Sequence, residues 1–336
     1  MRERVNIATN SVRMMYNYRK ELLRDLAGIR EIKYFLSCEA DANVGFGEEI
    51  RCFSDQSNSK TIFSVMIDIF RVLLILRSSR GSWLVFTARN ILIFGISARF
   101  LRKTLDVAYF AGLGKGLSAN RIEKSFIYRF LMSSILANYK VVVCLNLRDK
   151  HLMDKMHRNV VYLKGEGYKF SRVDQSKIKN KYKFDYGFVG RFCEEKGASE
   201  FLELAGMMPK CRFVIYGNIE EKFVERTAAL KNVSAFGFVN DKNKVYQSFK
   251  TLVHLSQLNE GLPFVFFESI QFRKSLLVCE NPSTDDVVRD LGGIPIPLSL
   301  ILRGHFLFAI RELTVTPSQI EEFSYQKNNY RLLKWL

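Results

Sequence analysis

The sequence predicts an α/β protein built from two doubly wound parallel sheets. Three observations predict it. Short apolar runs alternate with amphipathic helical patterns along the whole chain, which is the signature of strands covered on both faces. The alternation is interrupted once, by a basic, aperiodic stretch at 164–183. The length of 336 residues, at about 150 per domain, suggests two units, each large enough for its own core.

In the first half, Val5-Asn6-Ile7-Ala8-Thr9 reads as a strand, and Asn10-Ser11 as the turn before a basic helix ending near Ala27. A strand follows at Glu31–Leu36. A helix over 61–77 is too broken by Asp68 and Arg71 to span a membrane. Then come Trp83–Thr87, a helix over 90–102, Asp106–Phe110, a glycine-rich loop at 111–116, and a helix over 119–137. Lys140–Leu145 and Asn159–Leu163 close the half. After the linker, strands are expected at Asp185–Val189, Arg212–Tyr216, Val233–Phe236, Thr251–Leu255, Ser275–Val278 and Gly293–Pro295. Helices are expected over 195–207, 219–230, 241–248, 263–272, 283–290 and 303–313. The expected domains are 1–172, 173–316 and a final segment, 317–336, that crosses back onto the first, with Trp335 docking there.

Composition excludes several classes. With 48% hydrophobic and 25% charged residues the chain is not disordered. The start, Met1-Arg2-Glu3-Arg4, does not read as a signal peptide. Six cysteines lie far apart with no C-x-x-C pair, which argues against zinc and for reduced, mostly buried thiols in a cytosolic protein. The net charge is +17, unevenly spread: residues 1–170 hold 28 Lys/Arg against 15 Asp/Glu, net +13, and the rest net +4. The first half therefore suits an anionic partner such as nucleic acid, a bilayer or a phosphorylated lipid. No aromatic RNA platform, zinc finger or helix-turn-helix signature supports nucleic acid.

Two segments carry the chemistry. In Asn259-Glu260-Gly261-Leu262-Pro263-Phe264-Val265-Phe266-Phe267-Glu268, Gly261 permits close backbone approach and Pro263 suits a first helical turn. The amides that follow make a helix-start anion site. Glu260 and Glu268 flank it, and Glu268 follows apolar residues that aim it inward, where a carboxylate needs a partner. In Phe188-Val189-Gly190-Arg191-Phe192-Cys193-Glu194-Glu195-Lys196-Gly197, a strand ends at Gly190, and Arg191 and Lys196 bracket the turn. Cations at that strand end can neutralise a nucleotide diphosphate.

In order, Gly-Arg-x-x-x-x-Lys-Gly, a strand ending Tyr216-Gly217, Asn232-Val233-Ser234-Ala235-Phe236-Gly237-Phe238-Val239, and Ser256-x-x-x-Glu260-Gly-Leu-Pro with Glu268 resemble the motif set of retaining glycosyltransferases of family 4. The loop Phe110-Ala111-Gly112-Leu113-Gly114 resembles that of its capsule and O-antigen branch. The resemblance implies a GT-B fold, two Rossmann-like domains facing a central cleft. It implies that Arg191 and Lys196 bind the donor pyrophosphate and that Glu260 contacts the donor sugar. It places the amides of Leu262, Pro263-Phe264 and Val265 beside that sugar, Glu268 on the ribose, and the base near Phe236-Gly237-Phe238. Gly190 and Gly261 would shape the donor site, and Gly114 the acceptor side.

The implied activity is transfer of a sugar, with retention and without a metal, from a nucleotide sugar, UDP-linked by preference. The acceptor would be a polyprenyl-diphosphate-linked or other lipid-linked glycan, in O-antigen or capsule synthesis. The charge split then predicts a cytoplasmic enzyme resting on the anionic inner face of the bacterial membrane. The chain departs from the family in having no glycine turn after the first strand and no early histidine. Thr87, Arg89, Gly114 and Lys115 are the acceptor-side candidates. The alternatives are a GT-B nucleotide-sugar epimerase and a non-catalytic basic binding protein.

Overall fold

The computed structural model describes residues 4–37, 49–53, 62–113, 125–164, 168–169, 182–313 and 316–336. Gly114, Lys115 and most of the linker lie outside the described residues. The chain forms two compact units. The first comprises Met1–Tyr168, Glu260–Leu262 and Glu321–Leu336, and the second Lys169–Asn259 and Pro263–Ile320. Both are doubly wound α/β sheets, the expected class.

In chain order, the first unit contains β1 (Arg4–Thr9), α1 (Val12–Ile29), β2 (Glu31–Leu36), β3 (Glu49–Cys52), α2 (Ile62–Ser78), β4 (Ser82–Phe86), α3 (Ala88–Phe100), β5 (Leu105–Phe110), α4 (Phe126–Leu136), β6 (Tyr139–Cys144), α5 (Leu147–Asp154) and β7 (Val160–Tyr162). Among the described residues its sheet has the order β3-β2-β1-β4-β5-β6-β7, parallel throughout. Alternate side chains of β4 enter opposite cores: Trp83 and Val85 one, Leu84 and Phe86 the other. The first core is roofed by α2, α3 and α4 through Val72, Leu76, Phe94, Met132 and Leu136. The second is roofed by α1, and Leu332, Trp335 and Leu336 pack there too. The terminal carboxyl end is fixed, since Arg30 Nη1 and Ser82 Oγ both donate to Leu336 O at 2.5 Å.

The second unit contains β8 (Phe184–Val189), α6 (Ala198–Met207), β9 (Phe213–Tyr216), α7 (Glu221–Ala228), β10 (Val233–Ala235), α8 (Lys242–Tyr246), β11 (Phe249–His254), α9 (Phe264–Gln271), β12 (Ser275–Val278), α10 (Asp285–Asp290), α11 (Leu298–Ile301) and β13 (Arg311–Glu312), and α12 (Pro317–Phe323) begins in it and ends in the first unit. Helix α13 (Tyr325–Leu333) ends the chain within the first unit. The strand order is β10-β9-β8-β11-β12-β13, with β13 antiparallel. Edge-on phenylalanines fill one face: Phe192 contacts Phe188, Phe201 and Phe223 at 4.9–5.7 Å.

Three expectations need correction. No α-helix forms over 303–313: Gly304, at φ +80°, follows the short α11, and the segment holds a 3-10 turn at Leu307–Ala309 and the edge strand β13. The strand expected at Gly293–Pro295 is reduced to one bridge between Cys279 and Ile296, because Pro295 and Pro297 remove ladder donors. Strand β3 was not expected; it is a short, charged edge strand, and its pattern is correspondingly weak.

Lys274, fully buried at the start of β12, has an ammonium with no hydrogen-bond partner, 4.0 Å from the Tyr182 ring centroid. Burial lowers its pKa to about 8, against a smaller opposing effect of Glu312. The unfolded chain therefore holds more protons between that value and the ordinary 10.5, so this site adds stability as pH rises through that window. We expect Lys274→Met to stabilise the fold at pH 7 by about 1–3 kcal/mol, less the lost ring contact. The gain should fade toward about pH 10.5, the lysine's ordinary pKa. Thermal unfolding of both proteins across this pH range checks it; an equal or lower melting temperature at pH 7 contradicts it.

Candidate functional site

In the second unit, β8 and β11 are neighbours whose outgoing connections lead to helices on either side of a strand-order reversal. Doubly wound sheets bind ligands at the carboxyl edge of such a point. Gly190, Arg191 and Lys196 follow β8 there, and the segment leading to α9 follows β11. The two loops are tied together: Glu195 O accepts from Gln257 N at 3.2 Å and Ser256 Oγ at 3.3 Å. Gly197, at φ +83°, lets this turn sit against β11, because a Cβ there would lie 2.5 Å from Leu255 O. Asn281 holds the β11 loop from its other side, donating to Ser256 O at 2.9 Å and Leu258 O at 2.8 Å.

Toward the other edge, three backbones meet. Gly217 follows β9 at φ +142°, and a Cβ on it would lie 1.8 Å from Gly190 O. Gly217 N donates to Gly237 O at 2.7 Å. Gly237 has φ +65° and open space around it. Beside it, Phe236 stacks on Tyr216 at 5.5 Å, while Phe236 and Phe238 stay exposed. The result is a glycine-floored edge with aromatic surface next to it.

Pro263 is the N-cap of α9, one position earlier than expected, and has no side-chain cap. Glu268 is buried in the helix's second turn. Its carboxylate pairs with Lys242 Nζ at 2.5 Å and accepts from Tyr246 Oη. Tyr246 is itself stacked on Phe272 at 5.2 Å. Two contacts leave an ionised carboxylate capacity for further hydroxyl donors.

Arg191 is exposed and, among the described residues, has no carboxylate partner. Below the turn, Cys193 Sγ and the carboxylates of Glu195 and Glu220 lie within 4.8 Å of one another. Burial, and then the hydrogen bond to Glu195, push the Cys193 thiol pKa up.

Glu260, Gly261 and Leu262 group with the first unit. Asn146 Nδ2 donates to Glu260 O at 3.0 Å, and a Cβ on Gly261 would lie 2.0 Å from Ala111 O. The same unit has a polar cluster the sequence reading missed. Asn10 Oδ1 accepts from Ser37 Oγ at 2.7 Å, Thr87 Oγ1 at 3.1 Å and Asn90 Nδ2 at 3.2 Å. Thr87 stands at φ +70° to join it. Arg89, expected on the acceptor side, is bound to buried Asp68 at 2.5 Å and clamps α3 to α2. Asn10 offered no sequence signal beyond a turn, and Lys242 and Tyr246 none beyond helix periodicity.

The model of the family described as glycosyl transferases group 1 matches residues 170–296, which span these second-unit features. No curated protein matches the chain in sequence. Among solved structures, the chain is similar to Anabaena Alr3699/HepE in complex with UDP, at 12% identity and TM-score 0.70, covering 99% of this chain and 98% of that one. It is also similar to the apo lipopolysaccharide outer core galactosyltransferase WaaB, at 14% identity and TM-score 0.68 over 99% and 100% of the two chains. A glycosyltransferase from Rickettsia africae is similar at 12% identity and TM-score 0.67 over 99% and 97%. The fold is GT-B. Its two Rossmann-like units are the two sheets described above.

The glycine floor yields a contrast. Gly217→Ala is expected to cost about 3 kcal/mol or more, since backbone must move under a strained φ. Gly237→Ala, strained in φ but sterically free, should cost about 1 kcal/mol. Urea unfolding of both variants measures the difference; equal costs would contradict the close approach at Gly190.

Proposed function

We propose that the protein is a retaining glycosyltransferase that moves a sugar from a nucleotide sugar to a lipid-linked glycan in bacterial surface polysaccharide synthesis. The observation that carries the reading is the gathering of Gly190, Arg191, Lys196, the α9 start and Glu268 at one sheet edge, inside the residues that match the glycosyl transferases group 1 model. A UDP-linked donor is favoured because the similar HepE structure holds UDP.

In this reading Arg191 and Lys196 take the pyrophosphate, with the backbone N–H groups of Leu262, Phe264 and Val265. Glu268 takes the ribose hydroxyls, and Phe236-Gly237-Phe238 lie along the base. Glu260 orients the donor sugar. The sugar–oxygen bond to the diphosphate breaks, and the acceptor hydroxyl attacks from the same face. Its proton passes to the departing diphosphate. Two cations and a helix start supply the charge that a metal would otherwise provide, so the step rests on positioning and leaving-group stabilisation. Gly114 would belong to the acceptor side.

Among the described residues no helix is long and apolar enough to cross a membrane. The basic first half supports a cytoplasmic enzyme resting on the anionic inner leaflet, where a polyprenyl-diphosphate-linked or other lipid-linked acceptor would be presented.

UDP is expected to raise the melting temperature of the wild type. Arg191→Ala and Lys196→Ala should each weaken UDP about tenfold or more, the loss of one charge-assisted contact. Glu260→Ala should bind UDP normally and lose transfer, read by mass spectrometry of lipid-linked product across a panel of nucleotide sugars. No UDP shift in the wild type would end the donor reading, and wild-type transfer in Glu260→Ala would remove its role.

A further inference from the structure

We propose that the outer faces of α2 and α4 form an apolar docking surface that inserts into the interfacial region of an anionic bilayer. This rests on the membrane-facing part of the reading above and not on its donor site. It adds a specific face and an insertion component that charge alone does not supply.

Helix α2 is apolar on nearly every side, and such a helix is ordinarily covered all round. Here one side is not. Val72 and Leu76 pack into the core, while Phe63, Met66, Phe70 and Leu74, spaced on one stripe, stand outward. Phe63 is 72% exposed and Phe70 61%. Helix α4 repeats the arrangement: Met132 and Leu136 are buried, whereas Phe126, Ile127, Phe130 and Leu131 are 74%, 71%, 65% and 54% exposed. Both helices flank α3 in the same layer over the sheet. Monomeric soluble proteins rarely expose large apolar side chains in such rows.

Charge chooses the occupant. The acidic side chains of residues 62–113 are Asp68 and Asp106, both buried and paired, with Arg89 at 2.5 Å and Lys140 at 2.6 Å. Exposed Arg71, Arg77, Arg99 and Arg102 surround the stripes. A second copy of this chain would bring the same arginines together with no exposed carboxylate among these residues to meet them. An anionic lipid surface meets them with phosphates, and its acyl boundary receives the phenylalanines.

The test is flotation with vesicles of mixed phosphatidylglycerol and phosphatidylcholine, and of phosphatidylcholine alone. It is run at low and high salt (about 0.1 M and about 1 M, where screening lengths are about 10 and 3 Å). The wild type should bind the anionic vesicles and keep part of that binding at high salt. A variant combining Phe63→Ser, Phe70→Ser, Phe126→Ser and Phe130→Ser should lose partitioning about tenfold or more, with all of the salt-resistant part. Leu307→Ser with Phe308→Ser, exposed apolar residues of the second unit, should float as the wild type does. Phe70→Trp, a conservative swap, reads insertion directly, through a blue shift and quenching by brominated acyl chains. Wild-type flotation in the quadruple variant, no flotation of the wild type, no quenching at position 70, or a dimer that the quadruple variant splits without vesicle binding would each overturn the proposal. UDP thermal shifts on the same samples separate its failure from failure of the donor reading.

Discussion

The second unit depends on one constraint: the carbonyl of Gly190 occupies the space where any side chain on Gly217 would begin. That contact lets the loops after β8 and β9 lie against each other, and the bond from Gly217 N to Gly237 O adds the loop after β10. The bonds from Ser256 and Gln257 to Glu195 O then join the β11 loop from the opposite side. The loops after four strands are thereby tied together at one edge. Arg191 and Lys196 follow β8 at this edge, in the turn that the bonds to Glu195 O hold.

Most of this fold was legible because parallel strands buried on both faces are continuous apolar runs, and helices between them keep a separate period. β12 matched its expected bounds for that reason, and β8, β9 and β11 shifted by at most two residues. The failures share a cause. Between 293 and 313 the apolar runs, such as that over 306–310, do not declare helix or strand, and prolines and a left-handed Gly304 decide the path. Those are tertiary and dihedral effects that periodicity does not register. β3 escaped notice because an edge strand gains little from hydrophobic patterning on its outer side.

The donor-side candidates stood out in the sequence because their residue types are tied to backbone: glycines at left-handed or crowded positions and a proline at a helix start, with cations beside them. Their supports were not. Tyr246 and Lys242 hold Glu268 from a different helix, and nothing in their spacing relates them to it. Asn10, Ser37, Thr87 and Asn90 come from four separate stretches and meet only because β1, β2 and β4 are adjacent. A side-chain amide that collects three donors is a property of the sheet order, which the sequence states only indirectly.

The first unit raises a different problem of legibility. Asp68 and Arg71 made the 61–77 segment look interrupted, yet Asp68 points inward to Arg89 and Arg71 donates to Phe53 O at 3.2 Å. The charge of Asp68 is thus spent internally, while Arg71 stays exposed beside the apolar stripe with one bond back to the backbone. The same polar residues that rule out a membrane-spanning helix permit one that lies flat, since a surface helix needs its polar groups on the protein side or at the rim, not absent. Net charge would bring such a unit to an anionic surface, and exposed phenylalanines would keep it there when salt weakens the attraction. A chain that uses both can be held at a bilayer without the irreversible commitment of a transmembrane segment.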